Sequence, residues 1–562
     1  MKKLRWQLLI IFLTGLVVGV LLLTEQQPIQ VKQSTPEPVQ GGAYIEALIG
    51  KTQRLNPLLD ASNSVDRDID RLIYSSLLKF DGRGMPVGDL AETWGVTKDG
   101  TIYNVTLRAG LKWQDGQPLT AADVAFTLDF MRNGGDFIPK DVQEFWKDIE
   151  VAALDDTNLQ FRLPEAFAPF LDYLTFGVLP KHILGDQTID QIVESKFNLQ
   201  PVGSGPYRFE SWIFENGVIQ GVNLASSETY YGKAPYIQQV TFRFYSSSED
   251  AYQAYVNRNV MGIGTVDETI LDKVLAQPDL MVYSGRKPEL AMVLFNLGND
   301  QVKFFQDVKI RQALYYGIHR QKMIDQVLKG QAVQADGPIL PGTWAAYDGL
   351  AHYDYDVEQA RQLLKAAGFE LPAEGDAVLT KGDQILAFTL LYPDDEEHLK
   401  IAQMLQEFWK AVNIQVTIEG ITYDQLINER LSNRDYQAAL VDLNLSRSPD
   451  PDPYPFWDTA MAENGQNYTK WDNRIASEYL EQARITVDFT ERERLYRNFQ
   501  ILFNQELPAL PLFYPVYNYA VENQVQGVRM GPLFDTSDRF ATITEWYLQT
   551  QKVNAATTTP TP

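Results

Sequence analysis

Cysteine is absent from the 562-residue chain, which excludes a disulfide framework, a cysteine-built zinc site and a thiol nucleophile. Histidine is scarce. His182, His319, His352 and His398 are scattered along the sequence with no HExxH and no paired metal spacing, so each reads as a surface or core polar residue and no metal or other cofactor is expected. Positive charge is short as well: 49 Lys and Arg against 73 Asp and Glu leave a net charge of −24. Nucleic-acid binding draws on clustered bases that release counterions, so no nucleic-acid partner is expected. Acidity of this kind serves solubility. No internal repeat is visible, and Pro/Gly-rich breaks do not partition the chain.

Near-motifs for catalysis fail on single positions. Gly50-Lys51-Thr52 resembles the end of a phosphate-binding loop, but Ile45 stands where its upstream glycine is required. Asp66, Asp68 and Asp70 alternate like calcium ligands, yet Arg71 takes the glycine position and Leu77 the final glutamate position. They read instead as a solvated charge cluster. Gly203-Ser204-Gly205 is no nucleophile elbow, because Val202 removes the preceding glycine. Carboxylate pairs are too abundant to single out a general acid and base, and no enzyme is expected.

What is present is enough apolar matter for large cores: 45% hydrophobic and 12% aromatic residues. A chain of this length exceeds one core and implies two to four domains. At the N-terminus, Lys2, Lys3 and Arg5 precede an apolar run from Leu8 to Leu23, followed by a polar, Pro- and Gln-rich stretch to Gln40. The run is an export element, short for a span but extendable through Trp6 to Thr24, and no small-x-small cleavage site follows. It is expected to remain as an anchor with its basic end inside; a cleaved signal peptide is the alternative. Residues 1–24 are thus an anchor or signal, 25–40 a tether and 549–562 a low-complexity tail.

Local patterns predict alternating helices and strands. Tyr103, Val105 and Leu107 alternate as a half-buried strand does, Asp115-Gly116 suits a turn, and Thr120 with Asp123 forms a capping box that opens a helix carrying Val124, Leu128 and Met131 on one face. Ala360, Leu363, Leu364 and Ala367 form an apolar stripe between Asp356 and Gly368. A second stripe runs from Ile310 through Leu314 to Met323, Ile324 and Leu328, ending at Gly330, and Ile414, Val416 and Ile418 alternate as a strand.

The stretch Leu107 to Leu128 (LRAGLKWQDGQPLTAADVAFTL), with Asp89 to Trp94 (DLAETW) upstream, resembles the signature of bacterial family 5 extracellular solute-binding proteins. Pro201 to Trp212 (PVGSGPYRFESW), Lys309 to Gly330, Tyr355 to Phe369, Ile401 to Ile418 and Glu491 to Gly527 are similar to later blocks of that family in the same order. The resemblance spans residues 41 to 548. It implies an α/β, periplasmic-binding-protein type II-like fold, with two main lobes around a ligand cleft plus an inserted third lobe. Lobe I would be 41–76, 200–283 and 509–548, the inserted lobe II 77–199, and lobe III 284–508.

The same resemblance implies ABC permease subunits in the membrane as partners and a captured oligopeptide or other small solute, the protein acting as a monomer on the extracytoplasmic face. Peptide-binding relatives carry a Trp and, three residues on, an Asp that pairs with the peptide ammonium. Here Leu443 and Ser446 stand at those positions, with Asn444 between them, and Asp450 or Asp452 in the DPDP run is the expected substitute. Lys51, Thr52 and Gln53, Phe295 and Asn296, Tyr423 and Tyr514 are carried over by position. Trp344 and Trp457 come from aromatic-rich stretches suited to a ligand wall. Missing the ammonium-binding Asp leaves oligosaccharides open as an alternative ligand, and a surface peptide or glycan hydrolase or a ligand-sensing receptor as readings of another class.

Overall fold

The computed structural model describes Trp6 and residues 12–18, 34–372, 378–446 and 449–554. Its spine is a twelve-stranded sheet. On one side lie Ala43–Ile49, Gln239–Tyr245, Val218–Ser226 and Tyr207–Glu215; on the other lie Glu289–Phe295, Ala438–Asn444, Ala387–Pro393 and Gln415–Ile421. The two sides meet on Ala509–Glu522. Residues 509–513 of that strand pair with Leu294 back to Ala291, and residues 516–522 pair with Arg286 back to Leu280. One continuous strand therefore belongs to both halves.

Each half follows from its sequence pattern. Ala387–Pro393 and Gln415–Ile421 are parallel neighbours joined by helix Glu396–Lys410, the crossover that parallel strands require. Tyr207–Glu215 and Val218–Ser226 form a hairpin, with Asn216 and Gly217 both at positive φ in the two-residue turn. Separate cores support the halves, one built around Tyr44, Leu72, Trp113, Trp146 and Phe242, another around Phe295, Leu314, Phe388 and Trp409. Residues 77–199 contain a four-stranded antiparallel sheet, Ala91–Val96, Ile102–Leu107, Asn158–Arg162 and Glu150–Ala153, that shares the first core.

The signature stretch forms the strand, turn and helix its pattern predicts. Tyr103, Val105 and Leu107 are buried, Gly116 has φ +88° and helix Ala121–Asn133 buries Val124, Leu128 and Met131. The Asp123 carboxylate accepts the Thr120 N–H at 2.8 Å and also the Lys181 N–H at 2.9 Å, so the cap fixes a distant segment too. Gln114 explains why the PVGSGPY block accompanies it: its side chain accepts from Gly203 N–H and donates to the carbonyls of Ile73, Gly205 and Tyr207. A Cβ on Gly203 would lie 2.0 Å from the Ile73 carbonyl oxygen, so only glycine fits that approach.

Three expectations are corrected. Asp66, Asp68 and Asp70 are buried on helix Ser64–Ile73, not solvated. Their partners are remote in sequence: Asp66 accepts from Thr52, Gln53 and Arg54, and Asp68 is paired with Arg539. The chain crosses between halves at 287–288 and 514–516, later than the expected 283/284 and 508/509 limits, because residues 509–513 are paired within the second half. Ser34–Val39, read as tether, and Gln549–Asn554, read as tail, pair as an antiparallel two-stranded ribbon. Residues 555–562 lie outside the described residues, as does most of the apolar N-terminal run. Among the described residues no helix is long and apolar enough to cross a membrane.

Candidate functional site

The paired crossings sit side by side. Lys287 N–H donates to the Pro515 carbonyl at 2.7 Å, and Val516 N–H to Gln331 at 3.0 Å. Beside them opens a cavity of 830 Å³, within the range of small-solute pockets. Glu289, Met292 and Leu294 line it from one strand, and Val441 to Asn444 from its antiparallel neighbour. Tyr423, Phe456, Trp457, Tyr468 and Phe534 supply aromatic surface. Ala61, Arg67, Asp535 and Thr536 enter from the first half and Asp141 from the inserted lobe. The site therefore exists only where the lobes face one another.

Charge is distributed unevenly round this wall. Arg67 is held by Asp535 at 2.9 Å and donates to the Asp60 and Ala61 carbonyls. Lys287 and Glu289 flank the crossing. Asp442 is oriented by His398, whose Nε2 lies 2.9 Å from its carboxylate while Nδ1 lies 2.6 Å from Asp395. Burial of His398 disfavours its charged form, but hydrogen bonds and charge from Asp442 and Asp395 outweigh it and raise the imidazole to about 9. Among the described residues, no group of three or more His, Cys, Asp or Glu is arranged to hold a metal ion.

The raised His398 value has a stability consequence. A His that binds its proton more tightly folded than unfolded stabilises fully below about pH 6.5, and that contribution is lost as pH rises through about 9. Since Asp395 and Asp442 are half-exposed, the contribution is discounted to about 1–2 kcal/mol. The melting temperature is expected to fall across this window, and His398→Gln to flatten the fall. An unchanged slope in that variant would mean that the loss arises elsewhere.

Of the residues expected from sequence, Tyr423, Leu443, Asn444, Ser446 and Trp457 converge on the cavity. The others do not line it. Lys51 accepts from Asn63, and Thr52 and Gln53 donate to Asp66. Phe295 is core, and Asn296 donates to the Arg434 and Tyr436 carbonyls. Trp344 packs against Phe489 and Tyr496, and the buried Tyr514 hydroxyl donates to the Gly337 and Ile339 carbonyls at the crossing. Asp450 and Asp452, expected as ammonium partners, are ion-paired with Arg492 and Arg484. Both are therefore engaged inside the protein.

Sequence reading missed Asp442, Glu289, Lys287, Arg67 and Phe534. Asp442 left one signal: it interrupts the otherwise apolar run Ala438 to Leu443, and a charge in a buried strand requires a purpose. Arg67 and Phe534 left none, since each reaches the cavity only through the fold.

Comparison with known proteins agrees with this architecture. A family model described as bacterial extracellular solute-binding proteins, family 5 Middle, matches residues 85–467. The chain is 27% identical over 533 residues to the oligopeptide-binding protein AppA of Bacillus subtilis, covering 92% of this chain and 93% of that protein. It is 26% identical to the dipeptide-binding protein of Escherichia coli, covering 90% and 95%. The structure of AppA in complex with a nonapeptide superposes with a TM-score of 0.63 at 25% identity over 91% of this chain and all of that one. The ABC transporter substrate binding protein CtaP of Listeria monocytogenes gives 0.72 at 26% identity, covering 91% and 99%. The type II-like α/β fold and the family resemblance read from the motifs are thus borne out, and the family's proteins work outside the cytoplasm. With a family model matching well over half of its length, this chain belongs to the bacterial extracellular solute-binding proteins of family 5.

Proposed function

We propose that this protein captures short peptides in the interlobe cavity and delivers them to the membrane permease of an ABC importer. The observation that carries the reading is the 830 Å³ cavity built from all three lobes beside two adjacent crossings. A solute touching several lobes at once binds the closed arrangement better than the open one, and that difference in affinity is what drives closure. Glu289 and Asp442 offer carboxylates to a peptide ammonium, while Lys287 lies near Glu289 for a carboxylate. Tyr423, Phe456 and Tyr468 offer ring faces to side chains with little conformational loss. Relatives named for oligopeptide and dipeptide binding support the ligand class.

The lobes of this reading divide near 287–288 and 514–516, and its binding residues are Tyr423, Leu443, Asn444, Ser446 and Trp457 together with Glu289 and Asp442. The basic and apolar N-terminal segment holds the protein to the outer face of the membrane. Native mass spectrometry of the protein purified from its own membranes reads both claims. Short-peptide masses on a chain that retains its N-terminus are expected; glycan masses would overturn the ligand, and a mature chain beginning beyond Thr24 would overturn the anchor. Tyr423→Ala, which removes a half-exposed ring from the cavity wall, is expected to weaken peptide binding about tenfold by calorimetry.

A further inference from the structure

A second chamber, of 490 Å³, continues from the main cavity and shares Ala61, Arg67, Asp141, Ser446, Phe534 and Asp535 with it. It runs between the first half and the inserted lobe. Leu58, Ile138, Val142, Trp146 and Phe176 give it apolar walls. Its three cations are already paired: Arg67 with Asp535 at 2.9 Å, Arg71 with Asp538 at 3.0 Å and Lys79 with Asp89 at 3.4 Å. Two of its carboxylates are not. Asp141 stands exposed at the junction, with no side-chain hydrogen bond or ion pair to another described residue. Asp70 is only 3% exposed, and neither of its carboxylate oxygens has a hydrogen-bond partner among the described residues.

Asp70 is the feature that calls for a ligand. Unpaired buried carboxylates are costly, so a fold that keeps one needs a partner for it in some state. The nearby Asn56 N–H donates to the Arg54 carbonyl at 3.0 Å and is the smallest of the influences on the Asp70 carboxyl, and Asp66 is satisfied by the 52–54 segment. Burial, then the charges of Asp60 and Asp66, push the Asp70 carboxyl well above the usual carboxylate range. A cation brought beside it reverses that balance.

We infer that the smaller chamber is a subsite for a long cationic side chain of the captured peptide, the ammonium of a lysine or the guanidinium of an arginine. This deepens the peptide reading and rests on it. Apolar walls suit the methylene stem of such a side chain, and acids at the wall suit its head. Ser446 of the second half lines the chamber where it meets the main cavity, so parting of the two halves opens its mouth while the core that the first half shares with the inserted lobe stays intact.

Calorimetry on the full-length protein, stripped of endogenous solute, tests this with Ala-Lys-Ala, Ala-Arg-Ala and Ala-norleucine-Ala, the last keeping the stem without the charge. Lysine and arginine peptides are expected to bind about tenfold tighter than the norleucine peptide, and Asp70→Asn to bring that ratio close to one. Should Asp70→Asn fail to fold, Asp141→Asn is expected to reduce the ratio at the junction. Equal or tighter binding of the norleucine peptide would overturn the subsite and leave peptide capture standing. Binding of none of the three would overturn peptide capture and the subsite together.

Discussion

Replacing Arg539 with Met is expected to lower stability by about 3–5 kcal/mol, read as a fall in the urea midpoint. The guanidinium is 1% exposed and bonds Asp68 through both terminal nitrogens, at 2.7 and 2.8 Å, and Glu46 at 2.7 Å. Glu46 is fully buried and also accepts from the Tyr44 hydroxyl at 2.6 Å. Burial holds Asp68 up at about 6 even beside the arginine, so the pairing with Arg539 only partly offsets the desolvation cost. Its removal leaves two buried acids facing one another. The attraction itself is not a large net gain, because desolving three charges cancels most of it. Substituting Arg539, Asp68 and Glu46 together by apolar residues of similar size is therefore expected to cost far less than Arg539→Met alone. A midpoint that barely moves in the single variant would mean that water reaches the acids.

That triad also marks the limit of what the sequence reveals. Residues whose role depends on near neighbours were legible. Asp356 caps helix Val357–Ala366 through the Gln359 N–H at 2.9 Å, Ala360 and Leu364 are buried as their spacing requires, and Gly368 has φ +87°. The 310–328 stripe is equally visible, although Gly317 divides it into Val308–Tyr316 and Arg320–Val327. Helical and strand periods survive in a sequence because they repeat locally.

Residues whose role depends on distant partners were not. Asp68 and Arg539 are 471 positions apart and Glu46 and Arg539 are 493 apart, so an alternating run of acids reads as solvated when it is in fact enclosed. The site divides in the same way. Tyr423 and Leu443 were reachable by family position and Trp457 by aromatic density, but Phe534 and Arg67 meet them only across the lobes. Aromatic density was an unselective guide, because it also picks out Trp344, Tyr514, Tyr517 and Tyr519, which are core residues. A ring is as useful to a core as to a ligand, and composition cannot separate the two uses.

The Arg492–Asp450 pair is expected to couple stability to lobe contact, and Arg492→Met to disturb both. Both side chains are almost wholly buried. Arg492 also donates to the Ala483 carbonyl at 2.9 Å and lies over the Trp344 ring at 5.1 Å, while the Tyr496 hydroxyl donates to Asp450. Asp450 passes the connection on: its N–H donates to the Asp172 carboxylate of the inserted lobe at 2.6 Å. Two residues later Asp452 holds Arg484, whose guanidinium lies 5.1 Å from the ring of Phe167 in the same lobe. The DPDP run thus fastens one lobe to another. Arg492→Met leaves Asp450 buried and uncompensated, at a cost of about 3–5 kcal/mol, and the loop relieves that cost by moving toward water. The variant is expected to show a lower urea midpoint and a larger radius of gyration by small-angle X-ray scattering in the ligand-free state. A lower midpoint with unchanged dimensions would confine the pair's effect to its own lobe, and the contact with Asp172 would then follow closure without contributing to it.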